Sequence, residues 1–279
     1  MAKYPSTDDL FSIKDRIIVI TGGGGRLGKE FSMTALACGA RVVSIDLTPV
    51  GLCDSELSDF DHVTRRRYLH IQGDVTNRNS MVAALGKITS LWGEVPHGII
   101  NNAALDSPPD APTEDNGPFE TYPESSWDRV MTVNTKGTFV PCQVFGGAMA
   151  EAGRGSIVNI SSLYGLISPD QRIYEYRREK GQSFYKPVAY CASKSAILNL
   201  TRYLATYWGL KGVRVNTLVF GGVFAKQDKQ FLEGYTARVP MGRMANKDEY
   251  NGAIVFLLSE ASAYMTGSTL VMDGGWTAW

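Results

Sequence analysis

The sequence predicts an α/β protein with one seven-stranded parallel sheet and helices on both faces. Short β-branched runs alternate along the chain with stretches of helical periodicity, a pattern that calls for a parallel sheet covered on both sides. The first run, Ile17-Ile-Val-Ile20, is apolar at every position, as a strand buried on both faces must be, and leads straight into Thr21-Gly-Gly-Gly-Gly-Arg-Leu-Gly28. The 279 residues, 44% of them hydrophobic, suffice for one sizeable core. Nothing resembling a repeat, linker or low-complexity tract divides them, so one domain over residues 1–279 is expected.

A glycine turn between strand and helix lets backbone amides approach a pyrophosphate, with the helix N-terminus aimed at its charge. The helix runs from Arg26 to about Cys38, where Gly39 is placed to stop it. The second strand, Arg41-Val-Val-Ser-Ile-Asp46, ends in an acid 18 residues beyond Gly28. That is close to the roughly 20-residue offset at which a carboxylate meets the ribose hydroxyls of a dinucleotide. Asp46 would repel a 2′-phosphate and Leu47 adds no compensating charge, so NAD is expected over NADP. Taken alone, Asp46 reads equally well as a turn cap.

Residues 48–66 are polar and irregular, with Arg65-Arg66-Arg67 as a solvated face. The third strand is Tyr68-Leu-His-Ile71, followed by Gly73-Asp74-Val75. Met81, Leu85, Ile88 and Trp92 predict a helix over 78–92, and Gly98-Ile-Ile-Asn101 is a fourth strand opening into Asn102-Ala-Ala104. Residues 105–123 hold five of the twelve prolines and are read as loop, at a strand's carboxyl end where an open parallel sheet grips its substrate. A helix over about 124–152 carries Asn134, and Ser156–Ser162 is a fifth strand. Between Ser162 and Tyr190 lie 27 residues rich in Tyr and Arg; a helix runs from Val188 to about Leu210, and a sixth strand, Val213–Val219, follows. A mobile cover is expected over 221–246, then a helix near Lys247–Ser259 and a seventh strand, Ser268–Met272.

The chemistry centres on Tyr190-Cys-Ala-Ser-Lys194, which sets a phenol and an ammonium on one helix face. A phenol with a pKa of about 10 is nearly all neutral at pH 7, and a nearby cation favours its anion, so Tyr190 reads as a general acid/base. The bland alternative is a half-buried ring beside a solvated charge.

The 28 basic and 28 acidic residues cancel, which gives no overall attraction to nucleic acid or anionic membrane; small-molecule partners are expected. Cys38, Cys53, Cys142 and Cys191 are scattered, without metal spacing or disulfide density, and predict a reducing cytoplasm and no metal site. No apolar run approaches the roughly 18 residues of a membrane span, and MAKYPSTDDLF lacks a signal-peptide core.

Taken in order, the TGGGGRLG turn, Asp74-Val75, Asn101-Asn102-Ala103-Ala104, Asn134, Ser162, Tyr190 with Lys194, and Asp273-Gly274-Gly275 resemble the short-chain dehydrogenase/reductase family from about Ile13 to Trp276. The resemblance implies a Rossmann fold and a catalytic tetrad of Asn134, Ser162, Tyr190 and Lys194. Ser162 would hold the reacting oxygen, with Ser161 its rival by position, and Tyr190 would exchange the proton. Lys194 would bond the nicotinamide ribose and lower the Tyr190 pKa, and Asn134 would hold a relay water. It further implies cofactor contacts from Gly22, Gly25, Arg26, Leu27, Gly28, Asp46, Asp74, Val75, Asn102, Ala103, Ala104, Gly221 and Val223, besides Tyr190 and Lys194. A homodimer or homotetramer built on the two long helices is also implied.

Three departures stand out. The family has glycine where Arg26 stands, so either Gly23, Gly25 and Gly28 form the phosphate turn, or Arg26 adds a cation over the pyrophosphate, or it points to solvent. Phe220-Gly221 replaces the common Pro-Gly. The 28-residue step from Ser162 to Tyr190 is long for the family, and with Asp106-Ser-Pro-Pro-Asp110 it looks like the flagellin-modification branch of amino-sugar biosynthesis. Arg172, Arg177 and Arg178 in the insert over 167–186 would suit a polyhydroxylated or anionic substrate, or else form a flap or oligomer contact.

The expected function is NAD-dependent interconversion of a secondary alcohol and a ketone on a sugar, polyol or nucleotide sugar. An NADPH-dependent carbonyl or 3-oxoacyl reductase and a non-catalytic dinucleotide sensor are the alternatives. Trp276 and Trp279 are expected at a subunit interface or against the substrate cover.

Overall fold

The computed structural model describes residues 4–106 and 116–279. The middle of the proline-rich loop, and most of Asp106-Ser-Pro-Pro-Asp110, lies outside the described residues. Seven strands form one all-parallel sheet in the order β3-β2-β1-β4-β5-β6-β7. They are β1 (Ile17–Thr21), β2 (Arg41–Asp46), β3 (Tyr68–Gln72), β4 (Gly98–Asn101), β5 (Gly155–Ser162), β6 (Val213–Phe220) and β7 (Thr269–Met272). Chain order reverses between β1 and β4, so a crevice opens at their carboxyl ends, the place where open α/β sheets bind ligands. The register puts Thr21 beside Ile45, Asn101 beside Asn159 and Ser162 beside Phe220, which gathers the predicted site residues on that edge.

Side chains alternate across a strand, so each strand feeds two cores. Ile17, Val19, Val43, Ile99 and Val215 pack beneath Met81, Ile88, Phe145, Met149 and Trp208. Ile18, Ile20, Val42, Ile100 and Leu218 pack against Phe31, Leu36, Tyr250, Ile254 and Leu257. Full burial of a side chain of this kind contributes on the order of 1.5–3 kcal/mol, which holds the two helical layers on the sheet. Helix α1 (Arg26–Ala37) ends at Gly39, whose φ of +77° suits glycine. Helix α2 (Arg78–Trp92) is capped by the Asn77 side chain and stopped by Gly93.

The helix read over 124–152 is one rod interrupted twice. Glu124–Met131, Gly137–Pro141 and Gly147–Glu151 are joined by π turns at Thr132–Lys136 and Cys142–Gly146, and we label 124–151 α3. The stretch 48–66 is less irregular than expected, since it holds single turns at Asp54–Leu57 and His62–Arg65, the second capped by Asp61. After helix α4 (Val188–Trp208) and β6 comes the segment 221–246. Its middle is helix α5 (Lys229–Thr236), capped by Asp228, with Phe231 and Tyr235 buried. The insert and the cover share a third apolar cluster with Trp276, whose ring lies 4.5 Å from that of Tyr235. Trp279 is left exposed.

Candidate active site

The glycine turn is built by close packing. Thr21 at the end of β1 accepts the amides of Asn102 and Ala103 at 3.0 and 3.1 Å, drawing the two strand ends together. Gly22 has φ +64°, and a Cβ there would stand 2.8 Å from the Ala103 Cα. A Cβ on Gly28 would lie 2.1 Å from the Gly22 carbonyl, so helix and strand approach only because both residues lack side chains.

Gly25 is the N-cap of α1 and offers no capping side chain, which leaves the first-turn amides to an external acceptor. A Cβ on Gly25 would meet nothing within 4 Å but the Gly22 carbonyl, at 3.2 Å. An uncapped helix start facing open space fits a dinucleotide pyrophosphate. Arg26 is exposed at the cavity rim. Its guanidinium donates to the Phe224 carbonyl and so ties the glycine turn to the cover.

Asp46 is fixed beside this turn, accepting from the Gly24 amide at 2.9 Å and the Thr48 amide at 3.0 Å, as a turn cap does. Asp74 turns onto its own loop, accepting the Thr76 amide and hydroxyl at 2.8 Å each, and Val75 is buried.

A cavity of about 340 Å³ continues the crevice toward β5 and β6. Arg26, Leu27, Asn102, Ala104, Ser162, Tyr190, Lys194, Gly221 and Val223 line it. Gly22, Gly25, Gly28, Asp46, Asp74, Val75 and Ala103 stand outside its wall. Ser162 ends β5, and its hydroxyl accepts from the Tyr164 amide at 3.2 Å and stands close enough to the Tyr190 phenol to oppose the rise in its pKa. The hydroxyl of its rival Ser161 is taken by the Lys194 carbonyl at 2.8 Å.

Lys194 donates from Nζ to the Ile160 carbonyl at 3.1 Å, and burial brings its pKa down to about 8. Tyr190 departs from the sequence expectation. Its pKa is raised well above 10, first by burial and then by the Asp106 charge, with the Ser162 hydrogen bond opposing. The i+4 ammonium stands 5.9 Å from the ring centroid and does not overcome that desolvation.

Asn134 sits in the first π turn, a kind of helix defect that often marks functional sites. Its amide accepts the Leu105 N–H at 2.7 Å and donates to the Leu105 carbonyl and the Ser193 hydroxyl at 3.0 Å each. The side chain is thereby spent on positioning the strand-four loop against α4.

The profile of the enoyl-(acyl carrier protein) reductase family matches residues 26–277. D-threitol dehydrogenase of Mycolicibacterium smegmatis is 30% identical over 99% of this chain and 98% of its own. Galactitol 2-dehydrogenase (L-tagatose-forming) of Cereibacter sphaeroides is 32% identical over 97% and 98%. A short chain dehydrogenase from Leptospira borgpetersenii, solved with bound NAD+, superposes with a TM-score of 0.82 at 30% identity, covering 99% of this chain and 98% of that one. The chain is a short-chain dehydrogenase/reductase.

As a member of that family it is an oxidoreductase that acts on CH–OH groups with a nicotinamide cofactor. No helix among the described residues is long and apolar enough to cross a membrane. In this dehydrogenase/reductase the three guanidiniums of the insert do not line the cavity. Arg172 pairs with Asp170 at 2.9 Å and is otherwise exposed. Arg177 bonds Gln182 at 2.7 Å over the Phe184 ring, and Arg178 donates to the carbonyls of Phe184 and Gln171. Arg172 and Arg178 are thus engaged within their own segment.

The cation of the insert that does reach the cavity is Lys186, 2.5 Å from Asp106; the sequence drew notice to Asp106 only as the start of Asp106-Ser-Pro-Pro-Asp110 and to Lys186 only as the end of the insert. The available signal was spacing, since Lys186 precedes Tyr190 by the same four residues that separate Tyr190 from Lys194.

Proposed function

We propose that this chain oxidises a secondary alcohol of a polyol to a ketone, or reduces the ketone, with NAD. The observation that carries this reading is the convergence of Ser162, Tyr190 and Lys194 on one cavity, continuous with an uncapped helix start and the Asp46 carboxylate. When bound, an oxidised nicotinamide supplies the hydride acceptor and a positive charge that favours the Tyr190 phenolate. Ser162 holds the substrate oxygen, and Tyr190 takes its proton as the carbinol hydride departs. Lys194 holds the ribose beside them, and Asn134 keeps Leu105 and α4 in place. In the reverse direction burial keeps Tyr190 protonated at neutral pH, so it carries the proton that the ketone oxygen must receive.

Two relatives named for D-threitol and galactitol support a polyol, and a carboxylate where a 2′-phosphate would lie supports NAD. Phe139, Tyr203 and Tyr207, exposed on α3 and α4, support the homodimer or homotetramer. The test is NADH formation from NAD with a panel of four- to six-carbon polyols, beside the Tyr190→Phe variant. We expect turnover by the parent and a loss of about 10²- to 10⁴-fold in the variant. A variant as fast as the parent, or a parent inert on every polyol, sinks the proposal.

A further inference from the structure

We propose that Lys186 and Asp106 form the specificity pair of the substrate pocket, holding hydroxyls that neighbour the reacting carbinol. The proposal rests on the polyol reading above and names the groups that would carry it.

Side chains on a helix lean toward its N-terminus, so the ring of Tyr190, in the first turn of α4, reaches back over the residue four positions earlier. The Lys186 ammonium accordingly stands 4.5 Å from the Tyr190 ring centroid, nearer than that of Lys194 at 5.9 Å. Gln171 fixes the Lys186 backbone from both sides, accepting its amide at 2.9 Å and donating to its carbonyl at 3.1 Å. The side chain is 7% exposed and its Nζ lies 2.5 Å from Asp106 Oδ1. Both residues wall the same cavity as Ser162 and Tyr190.

The ammonium is buried but the carboxylate is 55% exposed, and a pair so open to solvent contributes little net stability, so folding does not account for placing one beside the reacting groups. Substrate chemistry does. An ammonium carries three donors and a carboxylate about four acceptor positions, so each can take a substrate hydroxyl as one partner among several. The pair is neutral as a unit, which suits an uncharged polyol, whereas an anionic substrate would meet the Asp106 charge.

The test compares kcat/KM for butane-2,3-diol and butan-2-ol, which differ by one neighbouring hydroxyl, in the parent and in Lys186→Met. The ratio of the two values within one protein does not depend on how much of it is folded. We expect the parent to favour the diol, and the variant to lower that preference on the order of tenfold or more, the effect of losing a charge-assisted hydrogen bond. A parent preference that survives in Lys186→Met overturns the pair and leaves the polyol reading standing. A parent that treats the two alcohols alike overturns the polyol reading and the pair with it.

Discussion

Lys194→Met should make the folded protein more stable near neutral pH while removing a residue proposed for the chemistry. Burial brings the Lys194 ammonium from an ordinary 10.5 to about 8, a displacement worth about 3 kcal/mol. The sign follows from proton linkage. Below about pH 8 the ammonium is charged in both states and the folded chain carries the full cost. Between about 8 and 10.5 the unfolded chain holds more protons than the folded one, so the parent gains stability as pH rises, and above that window the cost is gone. Methionine fills much the same volume but leaves the Ile160 carbonyl, now bonded at 3.1 Å, without its donor, a loss of about 1 kcal/mol. The net expectation is a variant about 2 kcal/mol more stable than the parent near pH 7, with the advantage lost by about pH 10.5. Urea unfolding at one protein concentration measures it, since groups common to both proteins cancel in the difference. A parent-to-variant difference that stays constant from pH 7 to 10.5 would refute the reasoning.

Asp46→Asn keeps an acceptor for one of the Gly24 and Thr48 amides, which bond different carboxylate oxygens, and removes the charge that opposes a 2′-phosphate. The kcat/KM ratio for NADP over NAD should rise by about tenfold or more, the worth of a 1.4 kcal/mol repulsion, and an unmoved ratio would show that Asp46 does not meet the ribose. Gly28→Ala forces a methyl to within 2.1 Å of the Gly22 carbonyl, so turn and helix must separate. We expect a loss of about 1–3 kcal/mol of stability together with weaker NADH binding by fluorescence, and an unchanged NADH affinity would argue against this turn as the phosphate cradle.

Sequence periodicity captured the sheet because its signal is local. Ile17–Ile20 must be a doubly buried strand whatever surrounds it, and the glycine turn has to follow because helix and strand meet at Gly28 and Gly22. The order of the motif residues along the chain likewise placed Ser162, Tyr190 and Lys194 in one cavity. What escaped depends on contacts across the fold. Lys186 meets Asp106 across 80 positions, and no local pattern joins them. The arginines of the insert read as available charge, because a sequence does not show which carbonyls they will meet. The spacing of Tyr190 and Lys194 promised a lowered phenol pKa, but burial, which spacing does not report, pushes it up. The π turn at Asn134 has no composition of its own, and it re-aims a side chain that helical periodicity would have placed elsewhere.

The third apolar cluster joins parts of the chain that the sequence keeps far apart. Tyr174 and Phe184 from the insert, Phe231 and Tyr235 from the cover, and Trp276 near the last residue all belong to it. The roof of the pocket is thus knotted to the tail, and an affinity handle fused after Trp279 would tug on the ceiling under which the alcohol must turn over. Kinetics gathered on such a fusion would mix the enzyme's own preferences with those of its label, and cleaving the handle before ranking substrates is the way to separate them.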